Sequence, residues 1–109
     1  MSSRDRPCPV IQGIMEIGGK WKLAIIYYLL EGPKTFTDLK NLLEVNSKIL
    51  SDNLKDLERK GIVMRKYRYP PLRVTYELTD KGRELKNVIE AIRVWSEKWI
   101  EKTVEERGR

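Results

Sequence analysis

Residues 46–61, which read Asn46-Ser-Lys-Ile-Leu-Ser-Asp-Asn-Leu-Lys-Asp-Leu-Glu-Arg-Lys-Gly61, constrain the fold more than any other stretch. Leu50, Leu54 and Leu57 fall at i, i+4 and i+7, which places them on one face of a 3.6-residue helix. Lys48, Asp52, Lys55 and Arg59 gather on the other side, with Ser51 beside them. Asn46 suits the N-cap, where its side-chain oxygen can accept from a backbone N–H that lacks a helical partner. Arg59 and Lys60 occupy the last turn, where the helix dipole favours cations, and Gly61 can adopt the left-handed cap conformation. Taken alone, the segment also fits an ordinary surface helix with a solvated charged face. Its neighbours separate the two readings.

Before it, Thr35-Phe-Thr-Asp38 has the form of a capping box. A short helix from Thr35 or Phe36 to Leu43 is therefore expected, with Leu39 and Leu42 or Leu43 facing inward. Two short helices in close succession are what a helix-turn-helix requires. After Gly61 the pattern becomes strand-like. Ile62 to Arg68 is rich in strand formers, and Arg73 to Leu78 alternates, with Val74, Tyr76 and Leu78 on one side and Arg73, Thr75 and Glu77 on the other. Tyr69-Pro-Pro-Leu72 reads as the loop of a hairpin, since proline cannot serve a central ladder.

Upstream, Pro9 fits the first turn of a helix to about Ile17, with Val10, Ile14 and Ile17 on one face. Gly18-Gly19 interrupts it. A second helix, Lys20 to Leu30, is apolar nearly all round and should lie at the centre of the fold, ending at Gly32-Pro33. Thr79 caps a final helix predicted to run unbroken from Asp80 to about Glu105, ~40 Å at 1.5 Å per residue. Leu85, Val88, Ile92, Trp95 and Trp99 alternate spacings of three and four along it, a heptad seam. Beyond Ile92 such a seam outruns a small core, so Trp95 and Trp99 point to a second copy of the chain.

Composition narrows the function. The chain of 109 residues has room for one small domain plus an extension. It contains no histidine, which removes the commonest general base and metal ligand. No glycine-rich phosphate loop or paired acidic motif stands out, so neither enzyme activity nor a cofactor is expected. One cysteine can make neither an intramolecular disulfide nor a zinc site unaided. No apolar run reaches membrane-spanning length and no leader-like hydrophobic region opens the chain, so a cytoplasmic protein is expected. The net charge is +6. Residues 46–73 hold eight basic residues against three acidic ones, a net +5, which leaves about +1 elsewhere. Phosphate binding calls for such clustering. An acidic protein partner or a membrane surface could use it as well.

The order of helix, helix, helix-turn-helix, hairpin and long helix is that of a winged helix. More specifically, the chain resembles the HxlR family of transcriptional regulators, relatives of the MarR-like winged helices. The residues that carry the resemblance are Cys8-Pro9-Val10, Gly18-Gly-Lys-Trp-Lys22, Gly32-Pro-Lys-Thr-Phe36, Lys48-Ile-Leu-Ser51, Leu54-Lys-Asp-Leu-Glu58 and Gly61-Ile-Val63. The Pro-Pro wing, Val74-Thr-Tyr-Glu-Leu-Thr79, Gly82 and Trp95 complete the set, which covers roughly residues 8–99. One departure is Leu43-Glu-Val-Asn46, where the family often has a Pro-Gly turn.

The resemblance implies a mainly α fold with a small β-hairpin. It divides the chain into a flexible segment 1–7, a winged helix-turn-helix at 8–79 and a dimerisation helix at 80–109. It also implies a homodimer joined through N- and C-terminal helices, with Val10, Ile14, Ile92, Trp95 and Trp99 at the interface. Such a dimer would place two reading helices on an inverted repeat in double-stranded DNA, with repression the expected outcome. Ser47, Lys48, Ser51, Asp52 and Lys55 would then lie at base edges or flanking phosphates, Arg59 would be a phosphate contact or a surface charge, and Arg68 and Arg73 would belong to the wing. Asp52 would suit a cytosine amino group or a local bond that holds Lys48 or Lys55.

In some family members a cysteine at the position of Cys8 senses electrophiles or oxidants. A thiol at a helix N-terminus near Arg4 and Arg6 is suited to that role. Cys8 also fits as a small, partly buried hydrophobe that helps the dimer pack. The same fold could also serve as a protein-interaction module that binds no specific DNA.

Overall fold

The computed structural model describes residues 8–101. Segment 1–7, with Arg4 and Arg6, and the expected end of the last helix near Glu105 lie outside the described residues. The elements follow in the order α1 (Pro9–Ile17), α2 (Lys20–Leu29), α3 (Phe36–Leu43), α4 (Ser47–Arg59), β1 (Val63–Arg68), β2 (Arg73–Leu78), α5 (Asp80–Arg83) and α6 (Lys86–Ser96). A π-helical turn, Glu97–Glu101, continues α6. This is a mainly helical winged helix with one antiparallel hairpin, the expected fold class.

Helix α2 is the hub, as its all-round apolar sequence implies. Ile25, Ile26 and Leu29 are buried, and the helix touches α3, α4, β2 and α6. The stripe Leu50, Leu54 and Leu57 of α4 is buried in the same core, together with Leu39 of α3 and Val45 of the intervening turn. Ile62, Val63, Tyr76 and Leu78 bring in the hairpin, and Ile89 brings in α6. Helix α1 buries no residue within the subunit.

In the hairpin Val63 pairs with Leu78, Arg65 with Tyr76, and Arg68 with Arg73. Lys34, just before α3, adds an isolated bridge to the other edge of β2, with N–H to O distances of 3.1 and 2.7 Å to Tyr76. Thr75 departs from the expected alternation. It lies on the polar side of β2 yet is only 5% exposed. Glu77 accounts for this, because it is the partner of both Arg68 (3.0 Å) and Lys66 (3.8 Å) across the hairpin. These long side chains cross the face that carries the shorter Thr75.

The unbroken C-terminal helix is corrected: Glu84 and Leu85 separate α5 from α6. Thr79 caps α5 as expected, its Oγ1 accepting from Gly82 N–H at 3.1 Å while donating to Gly61 O at 2.5 Å. The turn then tightens, with Leu85 N–H donating to Gly82 O at 3.0 Å. Tight packing draws this turn onto the β1 entry. A Cβ added at Gly82 would stand 2.3 Å from Ile62 O and 3.0 Å from Leu78 Cδ2. Periodicity alone carries no sign of that contact.

Helix α4 is also tied down by charge. Asp56 is half-buried and pairs with Lys22 of α2 at 2.9 Å and with Lys60 at 3.0 Å. Arg59 also bonds it. The hydrogen bonds from Lys22 and Lys60 hold its carboxyl far below the ordinary aspartate range.

Two outcomes are expected. Gly82→Ala should lower stability by about 1–3 kcal/mol through overpacking against backbone, measured as a shift of the urea midpoint; a neutral result would show that the contact relaxes freely. Asp56→Asn should lower stability by about 1–2 kcal/mol at neutral pH, because it leaves Lys22, Lys60 and Arg59 without their carboxylate. The folded pKa of Asp56 is depressed, so its contribution is present above the unfolded value near 3.8 and is lost as pH falls below it. The gap between Asp56→Asn and wild type should therefore shrink in acid. An equal gap at pH 7 and pH 3 would mean that the charge contributes nothing.

Candidate nucleic-acid interface

The site begins with two caps. Thr35 Oγ1 accepts from Asp38 N–H at 3.0 Å, and Asp38 accepts from Thr35 N–H at 3.0 Å, completing the expected capping box of α3. The Thr35 backbone N–H first, and then the Thr35 side chain, draw the Asp38 carboxyl below its usual range. Asn46 caps α4 by accepting from Ile49 N–H at 2.8 Å. Between the helices Glu44 takes a left-handed conformation (φ 51°) in the stretch where the family often has Pro-Gly. The buried Val45 anchors that turn. Cap, turn and leucine stripe together fix which face of α4 points outward.

That outward face carries Ser47, Lys48, Asp52, Lys55 and Arg59, all exposed, with Ser51 half-buried at its margin. Lys48 Nζ bonds Asp52 Oδ2 at 2.9 Å, one of the two uses expected of Asp52, and the contact raises the lysine pKa. Asp52, Lys55, Asp56 and Arg59 line one shallow depression. Arg59 is drawn to Asp56 within it.

The wing stands beside this face. Arg68 and Arg73 face each other across the hairpin at its tip, and Glu77 holds Arg68 by an ion pair. Tyr69 and Leu72, flanking the two prolines, are exposed. Arg65 braces the wing against α4 through Glu58 at 2.7 Å and lies 5.8 Å from the Tyr76 ring centre.

The remaining candidate positions are all accessible. Val10, Ile14, Ile92, Trp95 and Trp99 are exposed, the tryptophans to 57% each. Cys8 is exposed and flanks the first residue of α1, where the amides of Ile11 and Val10 favour its thiolate and lower its pKa.

Sequence reasoning did not foresee the Lys22–Asp56–Lys60 cluster or the Arg65–Glu58 brace. Lys22 stands in the Gly-Lys-Trp-Lys segment, which was the available signal for the first. The second joins residues of different elements and leaves no local periodic trace.

Comparison with known proteins agrees with this geometry. The sequence model of the HxlR-like helix-turn-helix family matches residues 16–104. The HTH-type transcriptional regulator YdeP of Bacillus subtilis is 38% identical over 94 residues, covering 84% of this chain and 73% of YdeP. YodB, an HTH-type transcriptional regulator of the same organism, is 33% identical over 97 residues, covering 86% of this chain and 87% of YodB. Among solved structures, the redox regulator HypR in its oxidized form superposes with a TM-score of 0.78 at 33% identity, covering 84% of this chain and 96% of that one. The reduced form of YodB gives 0.75 at 31% identity, covering 88% and 97%. With the capped helix pair, the outward basic face and the wing in place, the chain belongs to the HxlR-like helix-turn-helix family and is a transcriptional regulator, not an enzyme.

Proposed function

We propose that the chain acts as a homodimer on an inverted-repeat operator, with α4 reading the major groove and the hairpin lying along the flanking backbone. The observation that carries this reading is the division of α4. Leu50, Leu54 and Leu57 are buried, whereas Ser47, Lys48, Asp52, Lys55 and Arg59 leave the core entirely. Lys48 and Lys55 are assigned to base edges or adjacent phosphates, Ser47 and Ser51 to the helix start, and Arg59, Arg68 and Arg73 to phosphates. Occupation of promoter DNA by such a dimer makes repression the direct outcome.

The second copy is assigned to α1 and α6. An apolar groove runs between them, lined by Val10, Ile14, Ile17, Leu85 and Val88. Its apolar surface continues along α6 through Ile92 and Trp95 to Trp99. Residues 8–79 thus form the DNA-reading winged helix, and its α1 joins the residues from 80 onward in pairing. No helix among the described residues is long and apolar enough to cross a membrane, and a regulator of this class works in the cytoplasm. Cys8 adds a second layer: its accessible thiol would answer oxidants or electrophiles by an intersubunit disulfide or a mixed adduct. HypR, described as a redox regulator, is a relative of similar fold.

Binding to the DNA upstream of its own gene should weaken steeply with salt. Lys55→Ala and Lys48→Ala should each lower affinity by about tenfold and reduce the salt slope by about one, with an unchanged circular dichroism spectrum. Salt-independent or undetectable binding, together with co-purification of an acidic protein, would point instead to a protein-interaction module. Ile92→Ala combined with Trp95→Ala should weaken dimerisation at least about tenfold in sedimentation equilibrium; a dimer of unchanged strength would place the interface elsewhere. Unaltered DNA affinity after verified modification of Cys8 would remove the sensing layer.

A further inference from the structure

Helix α1 ends without a cation of its own. It carries no basic residue in its own last turn, and Gly18 leaves it in an extended conformation. The last carbonyls of a helix are therefore open, at the negative end of its dipole. Lys60, forty-odd residues away at the end of α4, supplies the missing cation. Its Nζ donates to Met15 O at 3.1 Å and to Glu16 O at 3.0 Å, while pairing with Asp56 at 3.0 Å. Asp56 in turn holds Lys22 of α2. A second tie runs in parallel, because Lys81 Nζ bonds the Glu16 carboxylate at 3.2 Å and Lys60 O at 2.8 Å.

These contacts bear more weight than their number suggests. Helix α1 has no fully buried residue and packs on the core through the half-buried Ile17 at its end, so apolar packing alone leaves its angle weakly held. The Lys60 side chain is only 18% exposed, with its ammonium group turned to protein acceptors instead of the outward face of α4. Lys60 therefore stands apart from Lys48 and Lys55, although all three are lysines of one short stretch.

We propose that Lys60 is a positioning residue: by capping α1 from the end of α4, it fixes the angle between the pairing helix and the reading helix. In a two-fold dimer that angle sets the distance between the two reading helices, and hence the half-site spacing that the regulator accepts. The inference rests on the dimeric DNA-binding reading above. Asp56 orients Lys60 through their ion pair, and Lys81 limits rotation of α1 about the contact.

The test uses duplexes selected by the wild-type chain from a randomised pool. Each is then remade with the half-sites moved one or two base pairs closer or further apart. Wild type should prefer one spacing by about tenfold or more. Lys60→Met should flatten that preference to about threefold or less, while binding to unrelated duplex DNA changes little. Lys60→Arg, which keeps a cationic donor, should restore it. Lys60→Gln serves as a second variant should Lys60→Met fail to fold, with the same flattening expected. An unchanged spacing preference in a folded neutral variant would overturn the proposal. So would a uniform loss on every duplex including unrelated DNA, since that marks a plain phosphate contact. Failure of the dimeric reading shows separately, as absence of any spacing preference in wild type itself.

Discussion

The leucine stripe of α4 against α2 is the contact on which the other arrangements depend. Leu50, Leu54 and Leu57 insert into a core centred on Ile25, Ile26 and Leu29. Burying three leucine side chains is worth several kcal/mol at about 1.5–3 kcal/mol each, more than any cap or surface bridge supplies. Because a helix has one rotational setting once its stripe is fixed, that burial dictates the outward face. The caps at Thr35 and Asn46 then decide where each helix starts, and Val45 sets the turn between them. Function enters only afterwards, through residues that the core leaves outside.

Much of this was legible because it is local. The stripe, both caps, the Gly61 stop with its positive φ and the hairpin ladder rest on residues within a few positions of one another. What escaped was tertiary. The break at Glu84–Leu85 follows the turn in which Gly82 packs closely onto the Ile62 carbonyl, and a heptad count that begins at Leu85 does not register it. Thr75 looked solvent-facing by alternation, but Glu77 draws Lys66 and Arg68 across its face. Asp56 entered the sequence reading only as one of three acidic charges in residues 46–73; Lys22 and Lys60 make it a junction of three helices. Of the candidate site, positions on α4 could be placed by their helical phase. Their roles toward DNA depend on a second molecule, which no intrachain pattern encodes.

The same junction changes what the clustered charge means. A net +5 over residues 46–73 treats eight cations as equivalent, yet most are already engaged. Lys48 holds Asp52, Arg59 and Lys60 hold Asp56, Arg65 holds Glu58, and Lys66 and Arg68 share Glu77. Lys55 and Arg73 take no part in these bridges. Exposed bridges such as Lys48–Asp52 are weak and screened by solvent, so a phosphate can replace their carboxylate with little loss. Lys60 differs, since leaving its pocket would abandon two carbonyls and a half-buried carboxylate together. The cations thus fall into an exchangeable outer set and a fixed inner set. The outer set gives attraction that any DNA can share. The inner set holds the helices that present it; on the proposed dimeric reading, selectivity for one arrangement of half-sites then depends on charges turned away from the nucleic acid.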